Sequence, residues 1–364
     1  MTYNSSKWFI TRNFSICIFV SALFTIKLDI YMGGIIVKKV LLSEKIDDSG
    51  IKLLKDNGFD VIVSKGIDTK NMKDGLKDAY GVIMRSTPLN KEMIDAAPNL
   101  KIIARTGTGF NSVDIDEANK KGILVARVNG ANSNAVAEYV LTTMLILSRK
   151  IAHANSMLRE KKNELAEDGS LPNFAGKYDL NGHELKGKTL AILGLGHVGR
   201  ITARFAEALG MKVIGYDPYL KQNQVKWPLL DDINDIYPQA DFLSINMPLT
   251  DETKNMISMK QIKMMKNSAI IINSARGGIV NEHDLAEALN NNLLAGAALD
   301  SFNPEPPTPD NPLFNAKNLI MTPHMAGTTI EAWQALSTGA AQAIVDYANG
   351  KMPQFPVNPD VIKK

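Results

Sequence analysis

Cysteine is almost absent from this chain: Cys17 is the one copy in 364 residues. The body of the protein is left without a disulfide, a thiolate metal site or a catalytic cysteine, which fits a reducing compartment. No metal is expected. Excess charge is also lacking. The net charge is +3, of which residues 1–31 carry +2 (Lys7, Arg12 and Lys27 against Asp29). The remainder offers no basic face to nucleic acid or to an anionic membrane, and neither is an expected partner. Long apolar runs are missing too. The longest, Phe14–Ile26, spans 13 residues, too few to cross a bilayer comfortably. It reads either as a signal-peptide core, with Val20-Ser21-Ala22 as a cleavage site, or as residues upstream of a true start at Met32. There is no internal repeat and no low-complexity tract. What remains, 45% hydrophobic and 22% charged, is the composition of an ordinary globular protein long enough for about two domains.

From Ile35 onward, short β-rich runs alternate with amphipathic segments. Strands are expected at Val37–Leu42, Val61–Val63, Gly81–Met84, Lys101–Ala104 and Ile123–Ala126. Helices are expected at Ser49–Asn57, Lys91–Ala97 and Asp114–Lys121. One long helix is expected from Ser133 to Lys161, followed by a polar loop over Asn163–Asn181. A second alternating unit then begins at Thr189, with strands at Met211–Tyr216, Asp241–Asn246, Ala269–Asn273, Ala295–Leu299 and Asn318–Thr322, and closes with a helix over Thr328–Asn349. Alternation of this kind predicts parallel sheets with helices on both faces.

The second unit opens on a dinucleotide fingerprint. The strand Thr189–Leu193 runs into Gly194-Leu195-Gly196-His197-Val198-Gly199, and a helix follows with Val198, Ile201, Phe205 and Leu209 on its expected apolar face. Gly194 permits the tight turn, Gly196 lets backbone approach a pyrophosphate, and Gly199 lets helix and strand pack closely. The next strand ends in Asp217, placed to bind the adenosine ribose hydroxyls. That carboxylate would repel a 2′-phosphate, and Pro218-Tyr219 supplies no cation to offset it, so NAD is expected rather than NADP. His197 stands either against the pyrophosphate or in solvent.

Three later segments place ionisable groups after strands: Asn273–Gly278 with Arg276, Leu299–Pro307 with Asp300 and Glu305, and Thr322–Gly327 with His324. Ligands of open parallel sheets lie beyond the carboxyl ends of strands. An arginine can hold a carboxylate bidentately. A histidine can pass a proton to or from a carbonyl oxygen, and a buried carboxylate beside it favours the imidazolium.

On these ordered motifs the chain, from about Val37 to Asn358, resembles the D-isomer-specific 2-hydroxyacid dehydrogenases. The resemblance implies two doubly wound α/β domains, a Rossmann NAD-binding domain (133–329) inserted into a flavodoxin-like substrate domain (32–132 and 330–364), with residues 1–31 outside the fold. It implies Arg276 as substrate binder, His324 as general acid/base, Glu305 as its tuning partner, and Asp300 on the nicotinamide carboxamide. Further cofactor contacts are implied at Pro248, Ala275, Gly327 and Thr108. Substrate contacts are implied at Arg85, Ser86, Arg105, the amides of Gly107 and Thr108, and Asn132. A homodimer is implied, with the apolar helix after Ser133 as interface, although an internally buried helix would read the same way. A soluble nicotinamide cofactor favours the cytoplasm and the start at Met32.

Within the family the sequence looks most like 3-phosphoglycerate dehydrogenases, because Arg85 and Arg105 together could bind a substrate phosphate. Without a regulatory domain after the last helix, the expected form is a short one, not subject to serine feedback through such a domain. Two readings stay open beside it. One is a reductase of hydroxypyruvate, glyoxylate or another small 2-oxo acid, with Arg85 on any carboxylate and Arg105 in a structural ion pair. The other is an NAD-sensing binding protein of the C-terminal-binding-protein type, which keeps the same trio.

Overall fold

The structure, a computed structural model, describes residues 37–362 apart from positions 86, 111, 166 and 168. The expectations for residues 1–31, including Cys17 and the apolar run, and for Ser86 therefore lie outside the described residues. The chain forms two compact units. One ends at Val128 and resumes at Ser337; the other is Asn129–Leu336.

The first unit holds a five-stranded parallel sheet of β1 (Lys39–Leu42), β2 (Asp60–Val63), β3 (Ala79–Met84), β4 (Ile102–Arg105) and β5 (Leu124–Arg127). Its order is β2-β1-β3-β4-β5, the flavodoxin-like winding. The returning C-terminal segment docks along edge strand β5: Arg127 N donates to Phe355 O at 3.0 Å and Val357 N to Val125 O at 2.7 Å. Asn358 completes the dock by accepting Val125 N at 2.7 Å. An edge strand is thereby covered instead of being left open.

The second unit holds six parallel strands: β6 (Thr189–Leu193), β7 (Lys212–Tyr216), β8 (Phe242–Ile245), β9 (Ile270–Asn273), β10 (Gly296–Leu299) and β11 (Leu319–Met321). Their order is β11-β10-β9-β8-β6-β7, and a single parallel bridge from Gly215 to Leu229 adds a vestigial seventh position beyond β7. Counting that bridge, the order is that of the dinucleotide-binding fold. Both faces are covered: Ala191 and Leu193 of β6 enter one apolar core, and Leu190 and Ile192 the other. A central parallel strand therefore reads as a continuous apolar run.

Three expectations need correction. The helix expected over Ser133–Lys161 is two, Ser133–Ser148 and Ile151–Glu160. Lys150 between them is left-handed at φ 52°, although no glycine or proline marks the break. Its cause is distant in sequence: Ser148 O accepts His183 N and Ser148 Oγ donates to His183 O, both at 2.8 Å. Lys150 Nζ donates to Asp179 O and Oδ2 at 2.7 Å each. Second, the expected polar loop contains a helix, Leu171–Lys177, capped by Ser170 and anchored by Phe174, which is 1% exposed. Third, the buried face of the helix His197–Ala208 is Gly199, Thr202, Ala203 and Ala206, not the larger apolar residues. Small residues win because the helix packs closely against both the helix Ser133–Ser148 and β6. Leu209, expected inside, is exposed. The helix Ser133–Ser148, considered as an interface, buries Val140 and Met144 in the core of its own unit.

Candidate active site

The glycine turn is built by steric exclusion. Gly194 has φ +90°, and a Cβ there would stand 2.8 Å from Asn246 O. A Cβ on Gly199 would stand 2.2 Å from Gly194 O, whereas one on Gly196 would meet nothing within 4 Å. Gly196 therefore faces open space at the helix start, and no side chain caps that start. Uncapped amides at a helix N-terminus suit a pyrophosphate. Asp217 braces this turn, with Oδ2 accepting Leu195 N at 2.9 Å and Oδ1 accepting Tyr219 N at 3.0 Å. Its remaining lone pairs are available to ribose hydroxyls. His197 is exposed, its ring edge 3.3 Å from where a Gly130 Cβ would be.

Register brings the three chemical segments into one row. Leu299 pairs with Asn273 on one side and with Met321 on the other, so β9, β10 and β11 end side by side. Asn273 turns the chain after β9: Oδ1 accepts Ala275 N at 3.1 Å and Nδ2 donates to Arg276 O at 2.8 Å. Arg276 is exposed beyond that turn, and Gly277 packs onto the backbone of Phe302. Glu282 pins the next loop, accepting Asn303 N at 2.7 Å and Asn311 Nδ2 at 2.6 Å. Glu305 follows, and its Oε1 meets His324 Nδ1 at 2.5 Å. With Glu305 ionised, Nδ1 carries the hydrogen, and Nε2 is the ring nitrogen turned to other partners.

This pair is not buried as expected: the side chains are 49% and 42% exposed. An ion pair that open contributes at most about 1 kcal/mol. The contact fixes the orientation of the ring more than it holds the fold together. His324 itself is left-handed at φ 53°. Asp300, 1% exposed, secures the segment by accepting Met325 N and Ala326 N at 2.8 Å each.

Several groups here fit a bound dinucleotide. Asn246 Oδ1, Ser274 Oγ and Ser301 Oγ, each just beyond a strand carboxyl end, are buried without a hydrogen-bond partner among the described residues. Pro248 is exposed after β8, and Ala275 half-buried after β9. A Cβ on Gly327 would stand 2.4 Å from Asn132 Nδ2, so these two expected site residues are in contact. Orphaned polar atoms and a cradle without Cβ atoms are what an extended ligand with many hydroxyls would satisfy.

Residues 141–326, about half the chain and all within the second unit, match the NAD binding domain of D-isomer specific 2-hydroxyacid dehydrogenases. The chain is 37% identical over 327 residues to a D-3-phosphoglycerate dehydrogenase of Methanocaldococcus jannaschii, covering 88% of this chain and 59% of that one. It is 34% identical over 336 residues to a glyoxylate reductase of Thermofilum pendens, covering 89% and 96% respectively. The chain belongs to the D-isomer specific 2-hydroxyacid dehydrogenase family. The crystal structure of a Thermus thermophilus protein shares the fold at TM-score 0.78 and 28% identity, covering 88% of this chain and 99% of that one. The chain thus spans well under two thirds of the phosphoglycerate dehydrogenase, yet nearly all of the glyoxylate reductase.

Of the substrate residues implied by the resemblance, Arg85, Arg105, Gly107 and Thr108 lie in the first unit, whereas Asn132 and Arg276 lie in the second. Arg105 ends β4 and pairs with Met84, so Arg85 stands one residue beyond that pair on the neighbouring strand. Arg85 is exposed, while Arg105 Nε donates to Gly109 O at 3.0 Å and holds its own turn. Gly107 is half-buried, and Thr108 exposed with its carbonyl accepting Arg127 Nη1 at 3.2 Å. Sequence reasoning did not pick out Glu282, nor Thr322, whose hydroxyl donates to Asp300 Oδ1 at 2.6 Å, nor Tyr139, whose hydroxyl lies 2.7 Å from that of Thr322. Of the three, only Thr322 sits inside a motif, Thr322-Pro323-His324. No helix among the described residues is long and apolar enough to cross a membrane.

Proposed function

We propose that this protein is an NAD-dependent D-2-hydroxyacid dehydrogenase that interconverts 3-phosphoglycerate and 3-phosphohydroxypyruvate. The observation that carries the redox part is the contact of His324 Nδ1 with Glu305 Oε1 at 2.5 Å, beside the turn that presents Arg276. Arg276 holds the substrate carboxylate with two parallel N–H bonds. His324 Nε2 gives its proton to the carbonyl oxygen in reduction and removes it from the hydroxyl in oxidation. Glu305 keeps the ring oriented and balances the imidazolium charge. NAD, when bound, supplies the hydride acceptor or, reduced, the donor. Asp217 selects it over NADP by repelling a 2′-phosphate. Gly107, Thr108 and Asn132 complete the substrate contacts, and the reading includes a homodimer in the cytoplasm.

The choice of acid rests on Arg85 and Arg105, carried at the ends of adjacent strands. Two guanidinium groups can share a dianion that one would hold less well. A second reading, a reductase of hydroxypyruvate or glyoxylate, is favoured by the bond of Arg105 Nε to Gly109 O, which gives that side chain a structural task. The deciding measurement is kcat/KM with NADH for phosphohydroxypyruvate against hydroxypyruvate and glyoxylate. A preference of at least about 100-fold for the phosphorylated acid, worth about 2.7 kcal/mol, is expected, and Arg85→Ala should erase most of it. Equal rates would favour the second reading, and no oxidation of NADH with any 2-oxo acid would point to a non-catalytic NAD sensor.

A further inference from the structure

Asp300 is held by three donors. Besides the amides of Met325 and Ala326, its Oδ1 accepts the Thr322 hydroxyl at 2.6 Å. A carboxylate can only accept, so Thr322 commits its single hydroxyl hydrogen to Asp300. The Tyr139 hydroxyl lies 2.7 Å from the same Thr322 oxygen. With the threonine hydrogen already engaged, Tyr139 must be the donor in that bond. Burial pushes the Tyr139 hydroxyl up to about 12, outweighing the Thr322 bond, and the Asp300 charge adds to the rise. Tyr139 therefore keeps its proton, and remains a donor, throughout the range in which a dehydrogenase works.

We propose that Tyr139 is a positioning residue for His324, acting through the one-way hydrogen-bond chain Tyr139 to Thr322 to Asp300. The chain ends on the Asp300 carboxylate, which also accepts the amides of 325 and 326, the residues immediately after His324. His324 N also bonds Thr322 O at 3.0 Å, so the threonine grips the histidine from the other side. A left-handed backbone at a non-glycine residue is disfavoured and persists where its surroundings over-determine it. Here the over-determination comes from Asp300 and Thr322, and the helix Ser133–Ser148 secures both through one phenol. Successive donors in a buried setting polarise each other, so loss of the Tyr139 donor weakens the bond from Thr322 to Asp300. With that anchor gone, Thr322 can rotate away from Asp300, the turn at 324 relaxes, and the imidazole leaves Glu305.

The catalytic consequence rests on the role given to His324 above, and the experiment separates the two ideas. Wild type, Tyr139→Phe, Thr322→Val and Thr322→Ser are compared with NADH and whichever 2-oxo acid the wild type reduces best. Tyr139→Phe should lower kcat about threefold to tenfold, as expected for loss of one hydrogen bond, with KM changed less than about twofold. Thr322→Val should lose more, and Thr322→Ser, which keeps the hydroxyl, should recover most of that loss. In parallel, carbethoxylation of His324 by diethylpyrocarbonate is followed by peptide mass in wild type and Tyr139→Phe without substrate. Release of the ring from Glu305 should raise its rate in the variant. Unchanged kcat together with an unchanged modification rate, whatever happens to the melting temperature, overturns the proposal. If the wild type reduces no 2-oxo acid, the functional reading fails, while the modification rates still decide whether Tyr139 positions His324. Should Tyr139→Phe not fold, the Thr322→Val and Thr322→Ser pair gives the same decision.

Discussion

Gly277 and Phe302 touch backbone to backbone: a Cβ added to Gly277 would stand 2.0 Å from the Phe302 carbonyl oxygen. This contact joins the turn that carries Arg276 to the loop that carries Glu305. The obstacle is main chain, which cannot rotate aside as a side chain can. Gly277→Ala should therefore destabilise by about 3 kcal/mol, the upper part of the range for overpacking, and should lower kcat/KM as well. Urea unfolding of the variant checks the first effect, and an unshifted midpoint would show that the two segments can part without cost.

His324→Ala should reduce kcat by at least about 100-fold, the usual weight of general acid–base catalysis, with NADH affinity unchanged. Glu305→Gln keeps a hydrogen-bond acceptor at Nδ1 but removes the charge. Because the pair is exposed, its loss should cost about 1 kcal/mol, or about fivefold in kcat. Steady-state rates beside fluorescence titration of NADH separate chemistry from binding. Equal losses in both variants would mean that the carboxylate does more than orient and balance the imidazole.

Asp217 should determine cofactor choice. Wild type is expected to prefer NAD over NADP, and Asp217→Ala should narrow that preference by roughly tenfold, the equivalent of about 1.4 kcal/mol of removed repulsion. The variant should also bind both cofactors less well, because the carboxylate braces Leu195 N and Tyr219 N. Dissociation constants for both dinucleotides test this. A native preference for NADP would contradict the assignment.

Asp241 predicts an acid-sensitive contribution to stability. Burial opposes its charge, but the Thr189 amide at 2.8 Å and Lys266 Nζ at 2.9 Å outweigh it and hold the carboxyl below its ordinary value. A carboxyl lowered by folding stabilises the native state above its unfolded value and loses that effect as pH falls through the folded one. The melting temperature of wild type should exceed that of Asp241→Asn at pH 6, and the gap should close below about pH 4. A gap independent of pH would assign the loss to packing instead.

Much of the site was legible because its chemistry is local. A glycine turn, the aspartate about twenty residues on, and Arg276, Glu305 and His324 each lie just after a strand, and strands of a parallel sheet deliver their ends to one side. Parallel pairing then placed Asn273, Leu299 and Met321 in one row, as alternation of strands and helices implied. Less legible were features set by packing between distant segments. The break at Lys150 has no local marker because its cause lies at Asp179 and His183. The buried stripe of the helix after the glycine turn follows its close packing on the helix Ser133–Ser148 and β6, which favours small residues over the apolar ones that periodicity selects. The expected buried partner of His324 is an exposed one, since exposure depends on what the rest of the chain leaves uncovered.

The sequence by itself determined the class of ligand and the strand ends at which the candidate reacting groups lie, because spacing along a strand–turn–helix is set by local backbone geometry. Tertiary structure alone decided which donors support those groups. Tyr139 and Thr322 stand 183 residues apart, and no local pattern relates them. Only the packing of a helix against the ends of two strands brings a phenol within 2.7 Å of the hydroxyl that steadies Asp300.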